Sequence, residues 1–249
     1  MTSHRIKANP LLLRISTLLS PPSFRPWFSF GQCLLCGTSA GDGICLECLA
    51  DLPWPQHPCR HCAEELPADA ESAWCERCLL MPPAFDLCMP LLRYAFPARE
   101  LIASFKFRAG FAVGRTLGIL LAERLMAVTA EDLPQVLLPV PLHQQRLRQR
   151  GFNQSTLLAR QVSSRSGIPV LHCLRRVRAT TAQRTLHAEA RQENLKAAFV
   201  VDVPRLRGID HVAIVDDVVT TMNTVNTLAM ALRRAGVARI DVLCVARVS

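Results

Sequence analysis

Four cysteine pairs crowd one stretch of the chain: Cys33-Leu-Leu-Cys36, Cys45-Leu-Glu-Cys48, Cys59-Arg-His-Cys62 and Cys75-Glu-Arg-Cys78. A two-residue spacer lets both thiolates of one turn reach a single tetrahedral ion, and two such pairs complete a four-sulfur site. Eight cysteines in this arrangement predict two structural zinc ions. Disulfides are the competing use of paired cysteines, but they need an oxidising compartment, and the sequence shows no recognisable export signal. The segment "LLLRISTLLS" is short, is broken by Arg14 and lacks a small-residue cleavage site. It reads as a loosely docked amphipathic helix. Closed all-cysteine sites leave no position for water, so the ions are expected to hold the fold and not to catalyse.

Spacing alone does not decide how the pairs combine. Neighbouring pairs make two successive ribbons, 33/36 with 45/48 and 59/62 with 75/78, and a cross-braced arrangement is the alternative. The successive order is preferred because it closes shorter loops. His57 and His61 are expected to be bystanders beside a full cysteine set. Cys88, Cys173 and Cys244 fall outside the pattern, and the last two sit in apolar contexts that suit buried core.

After Cys78 the prolines of "LLMPPAFD" mark a boundary, and from about residue 86 strand-like and helix-like segments alternate. "LCMPLLRYAF", "VLLPV", "IPVLH", "HVAIVDD" and "RIDVLCVAR" read as strands or extended chain. "ARELIASFKF", "GRTLGILLAERLMAV", "NQSTLLARQVSSRSG" and "TVNTLAMALRRAGV" read as helices. Continuously apolar strands alternating with amphipathic helices imply an α/β domain with a parallel sheet covered on both faces. The expected organisation is therefore a flexible segment over 1–32, a small double zinc-ribbon domain over 33–83 and the α/β domain over 86–249. No apolar run reaches the roughly 18 residues of a membrane span, and a cytoplasmic location is expected. The net charge is +9. Arginine concentrates between Arg146 and Arg191, which suggests a polyanionic partner.

In an α/β sheet, ligands bind where strands end and helices begin. "VAIVDDVVTTMNT" is such a place. Asp216 and Asp217 are adjacent carboxylates, able together to hold a vicinal diol, directly or with Mg2+. Thr220, Thr221, Asn223 and Thr224 follow with hydroxyls, an amide and helix N-terminal N–H groups that suit an anion. An ordinary capped strand end is the plainer alternative.

The strand–Asp–Asp–hydroxyl turn resembles the phosphoribosyl-pyrophosphate (PRPP) motif of the type I phosphoribosyltransferases. "LLPVPLHQQRLRQRGFNQSTLLA" and "RRVRATTAQRTLHAEARQENLKAAF", together with the cysteine-rich N-terminal part, resemble the ComF/GntX family of competence and DNA-utilisation proteins. That resemblance runs from about residue 33 to the C-terminus. It implies a type I phosphoribosyltransferase-like sheet, with Asp216 and Asp217 on the ribose hydroxyls and the turn on the 5′-phosphate. It also implies a pyrophosphate loop over 139–151, with Arg148, Arg150 and Gly151 as contacts. Arg176 to Asn194 would be a closing loop, with Thr181, Gln183 and Asn194 as its polar residues and Arg191 as its main pyrophosphate contact.

Met222 departs from the pattern, because such turns usually carry glycine there. Glycine tolerates positive φ and leaves room for a phosphate. Methionine strains a left-handed turn by roughly 1 kcal/mol or more and its side chain competes for the phosphate position, unless Asn223 takes the left-handed conformation instead. The resemblance implies a Mg2+-dependent phosphoribosyltransferase acting in DNA uptake or utilisation, with an acceptor that carries no readable signature. A sensor that binds ribose phosphate without turnover would share these residues. The alternative is an adaptor whose ribbons and basic face bind single-stranded DNA or DNA-processing proteins. Lys106 in "FKF" is a further candidate site residue, against the plainer reading of a solvated helix-end lysine.

Overall fold

The computed structural model describes residues 31–41, 43–107, 110–177 and 198–248. The chain divides into two compact units, one ending at Asp51 and one beginning at Leu52. In the first unit, Gly37 N–H returns to the Cys33 carbonyl at 2.9 Å with Gly37 at φ 77°. Cys45 then caps helix α1 (Leu46–Ala50).

The second unit opens with the same device. Ala63 N–H returns to the Cys59 carbonyl at 2.9 Å, with Ala63 at φ 56°, and Cys75 caps helix α2 (Glu76–Leu80). The turn after each first Cys-x-x-Cys pair thus bends back through a left-handed residue. In the first knuckle that residue is glycine. In the second it is alanine, at a cost of about 1 kcal/mol.

The sheet of the second unit is built from β1 (Leu87–Arg93), β2 (Val136–Pro139), β5 (His211–Val219) and β6 (Arg239–Arg247), in the order β1-β6-β5-β2 and parallel throughout. Beyond β2 the extended chain at Val170 bridges Leu137 in parallel, where the "IPVLH" segment is expected. A separate antiparallel pair joins β3 (Leu174–Arg176) to β4 (Phe199–Val201). The expected closing-loop residues Thr181, Gln183, Arg191 and Asn194 fall between these strands and lie outside the described residues, as does "LLLRISTLLS".

Helices α3 (Ala98–Phe107), α4 (Phe111–Met126), α5 (Gln144–Arg150), α6 (Gln154–Ser166) and α7 (Asn223–Arg234) complete the alternation expected from periodicity. α4 and α6 lie side by side against the sheet. Their approach is close enough that a Cβ at Gly118 would stand 2.5 Å from Gln161 Cβ. The other face buries Val212, Ile214, Ile240 and Val242 with Val225 and Leu228 of α7, and with Cys59, Cys62 and Cys78 of the second ribbon. That ribbon is therefore part of the core. Its His61 carbonyl accepts Cys88 N–H at 2.7 Å, and Ala84 N–H donates to Asn226 Oδ1 at 2.7 Å. Among the described residues, no helix is long and apolar enough to cross a membrane.

Candidate functional site

The cysteine pairs combine in the successive order. Cys33, Cys36, Cys45 and Cys48 form one tetrad and Cys59, Cys62, Cys75 and Cys78 the other, with all sulfurs of a tetrad within 4.8 Å of one another. Zn–S bonds of about 2.3 Å place tetrahedral sulfurs about 3.8 Å apart. Cys36 and Cys45 are separated by 3.6 Å and Cys62 and Cys75 by 3.5 Å, so each set can hold one zinc ion. Backbone N–H groups already point at the ligands, Cys45 N–H at Cys33 Sγ and Cys75 N–H at Cys59 Sγ. Burial raises the Cys33 thiol, but the N–H groups around it outweigh burial and hold it down at about 6. His61 stays outside its tetrad: it is buried, with Nε2 bonded to the Phe85 carbonyl. Cys88, Cys173 and Cys244 are buried core.

At the carboxyl end of the sheet, β5 delivers Asp216 and Asp217. Asp216 Oδ1 accepts the Ser155 hydroxyl at 3.0 Å and Asp217 N–H at 2.9 Å. Asp217 Oδ1 accepts Val218 N–H at 2.7 Å, and its Oδ2 lies 3.1 Å from Lys106 Nζ. Lys106 is thus an acidic-pair partner and not a solvated helix end. Its side chain is only 22% exposed. Ser155 is set by Asn153, whose Oδ1 caps α6 at Ser155 N–H while its Nδ2 donates to the Val140 carbonyl. Asn153 and Ser155 are site residues that the sequence does not single out, although both stand in the "GFNQS" run after the basic helix.

Burial, and then the neighbouring Asp217 charge, push the Asp216 carboxyl up to about 7, against the pull of its hydrogen bonds and of Lys106. The folded protein then keeps this proton where the unfolded chain, near 3.8, has lost it. The stability that Asp216 contributes is full below about pH 4 and is lost as pH rises through about 7. Relative to wild type, Asp216→Asn is expected to be more stable at pH 8 than at pH 5. Paired thermal melts check this, and a gap that does not widen in favour of asparagine contradicts it.

The 139–151 stretch is not a loop throughout. Residues 144–150 form α5, capped by His143, with Gly151 ending it at φ 78°. Arg148 is exposed on this helix, and Arg150 donates to Gln154 Oε1 at 3.3 Å. Arg176 packs over Phe199 at 5.4 Å. Burial and then the Arg146 charge lower its pKa, while the Asp216 charge opposes them.

The turn itself keeps its left-handed residue at Met222, φ 63°, and not at Asn223, which opens α7. The one-residue shift to asparagine does not occur. The Met222 side chain is buried in the core shared with the second ribbon, and Sδ lies 3.9 Å from Arg77 Nη2. Thr220, Thr221 and Asn223 are exposed, and Thr224 is half-buried. The first N–H groups of α7 have no acceptor within the helix. Beneath the turn, buried Arg247 donates to the Thr220 carbonyl at 2.7 Å, the Cys62 carbonyl at 3.2 Å and Glu64 Oε2 at 2.6 Å.

No protein-family model matches the chain. Competence protein F of Haemophilus influenzae is 37% identical over 237 residues, covering 89% of this chain and 98% of that protein. The chain belongs to the ComF family. The ComF-family chain is also similar to the DNA utilization protein YhgH of Escherichia coli (strain K12), 38% identical over 229 residues, 87% of this chain and 97% of the relative. The same-named protein of Salmonella typhi is 38% identical over 209 residues, 82% and 90% of the two chains.

Proposed function

We propose that this ComF-family protein serves competence or DNA utilisation by binding PRPP, or a related ribose 5-phosphate, at the carboxyl ends of β2 and β5. The observation that carries the reading is the run from Asp216 and Asp217 into a left-handed turn and a bare helix N-terminus. Carboxylates oriented by Ser155, Val218 and Lys106 suit the ribose hydroxyls. Thr220, Thr221, Asn223, Thr224 and the first N–H groups of α7 suit the 5′-phosphate. Arg148, Arg150 and Gly151 border the pyrophosphate, with Arg191 as the closing residue. The carboxylate oxygens fit Mg2+, a hard cation; when bound, it would neutralise pyrophosphate charge. The protein's own share of a phosphoribosyl transfer is to position the ribose, supply cations to the leaving pyrophosphate and exclude water.

Met222 is the test position. Its side chain is directed into the core, so it leaves the exposed side of the turn open. Met222→Gly is expected to relieve the left-handed backbone but to lose buried surface, for a net destabilisation of about 1–3 kcal/mol. PRPP affinity is expected to stay within a few-fold. Isothermal titration with PRPP and Mg2+ checks both proteins. Binding by Met222→Gly with none by wild type would mean that Met222 blocks the phosphate.

A second reading rests on α5, where Arg146 and Arg148 are exposed. There the protein is an adaptor for single-stranded DNA or DNA-processing proteins. Mobility-shift titration across salt discriminates, since a phosphate-driven contact weakens steeply as salt rises. Failure to retain DNA even at low salt removes this reading.

A further inference from the structure

Lysine is rare in this chain. Only Lys7, Lys106 and Lys196 stand among the 29 basic side chains, and all the others are arginine. Lys106 meets the acidic pair, with Nζ 3.1 Å from Asp217 Oδ2. The two side chains are only 22% and 13% exposed, so solvent screens their attraction only in part. The other contacts of the pair are neutral. Ser155 and Asp217 N–H donate to Asp216 Oδ1, and Val218 N–H donates to Asp217 Oδ1. Arg176 acts by its charge on the Asp216 side of the pair, and the salt bridge to Asp217 is the lysine's. The two carboxylates therefore present less negative charge to a metal ion than their residue types suggest.

The backbone of Lys106 is anchored, while its charged head can move. Lys106 stands in the last turn of α3 beside Phe105, which is fully buried and packs 6.0 Å from Phe152. Its ammonium is a compact point charge on a flexible stem, where arginine would clamp the carboxylate with a planar fork. Such a cation can leave Asp217 Oδ2 by rotation of its own side chain, with α3 in place. Mg2+ prefers oxygen ligands and gives up its water reluctantly. At Asp217 it meets an oxygen already paired with a positive charge.

We propose that Lys106 is the resident counter-cation of the acidic pair: it holds the divalent ion's place at Asp217 and keeps free Mg2+ off the pair when no phosphorylated sugar is bound. The proposal rests on the ribose-phosphate reading above for what brings the metal in. A phosphorylated sugar supplies the further oxygens that a hard cation needs. The ammonium then turns away as metal and ligand enter together.

The test titrates the full, zinc-loaded chain with Mn2+ alone at pH 8, for wild type, Lys106→Met, Lys106→Gln and Lys106→Arg. Mn2+ takes the same oxygen ligands as Mg2+, and electron paramagnetic resonance counts the free ion. Both neutral variants are expected to bind Mn2+ about tenfold more tightly than wild type, as for removal of a like charge a few ångström from the ion. Lys106→Arg, which keeps the charge, is expected to bind no more tightly than wild type. Adding Asp217→Asn to Lys106→Met is expected to abolish the gain. Neutral variants that bind no better than wild type overturn the proposal. So does an arginine variant as tight as the neutral ones, or a gain that survives Asp217→Asn. Loss of cooperative melting in both neutral variants overturns it too, because the lysine would then be holding α3 in place. Isothermal titration with PRPP and Mg2+ separates the two claims: wild type that binds no PRPP overturns the ribose-phosphate reading, while the Mn2+ results decide the role of Lys106.

Discussion

Replacing Cys62 by serine is expected to remove one of two zinc ions and to lower the melting temperature by roughly 10–20 °C, the shift that a loss of about 5 kcal/mol produces in a domain of this size. Structural zinc supplies on the order of 10 kcal/mol of folding free energy at neutral pH, comparable to the net stability of a whole domain. Cys62 is fully buried, and its ribbon packs into the same core as α7 and the sheet. Losing the ion should therefore loosen that core and not merely fray a surface knuckle. Ribose-phosphate affinity should fall with it, since the ribbon carries Glu64 and the Cys62 carbonyl, which brace Arg247 beneath the turn. Zinc stoichiometry by mass spectrometry and calorimetric melts check this. A variant that keeps both ions, or melts within a few degrees of wild type, contradicts it.

Arg247→Ala is expected to cost about 3–5 kcal/mol, the range for breaking a buried charged pair. The residue is 2% exposed, and it serves Glu64 and the carbonyls of Cys62, Val219 and Thr220 together. Truncation would leave Glu64 poorly paired and remove the guanidinium donor from the Cys62 and Thr220 carbonyls, while the Val219 carbonyl keeps the Val248 N–H. Lysine cannot reproduce the planar fork that spans these acceptors, so Arg247→Lys should recover only part of the loss. Denaturant unfolding measures the effect, and a loss below about 1 kcal/mol would show that the strut is not holding the turn.

The zinc knuckles and the acidic turn were legible in the sequence because each is a local signal. Cys-x-x-Cys spacing, a buried strand ending in two aspartates and a hydroxyl-rich helix start are all short-range patterns. The partners of those groups arrive from distant chain, so Lys106 was legible only as a candidate site residue without a named partner, and Ser155 was not legible at all. Lys106 reaches Asp217 from α3, and Ser155 reaches Asp216 from α6. Arg247 ends β6, a strand whose other charged residues, Arg239 and Asp241, lie at its start, and nothing local marks it as buried. It is buried because the second ribbon covers it and supplies Glu64. Met222 shows the same limit: its backbone strain is foreseeable from residue type, whereas its side-chain direction depends on a ribbon that starts at Cys59. The helix over 144–150, inside an expected phosphate loop, is the local exception. There the cap from His143 and the left-handed Gly151 settle the matter.

The central claim is that the turn after Asp217 accepts a ribose 5′-phosphate despite Met222. A crystal structure of the full chain with PRPP and Mg2+ tests it most directly. The account predicts the 5′-phosphate against the backbone of Thr221 to Thr224 and the ribose hydroxyls on Asp216 and Asp217, with Met222 still buried. A phosphate bound elsewhere, or a turn left empty at saturating PRPP with Met222 swung into its place, would contradict it.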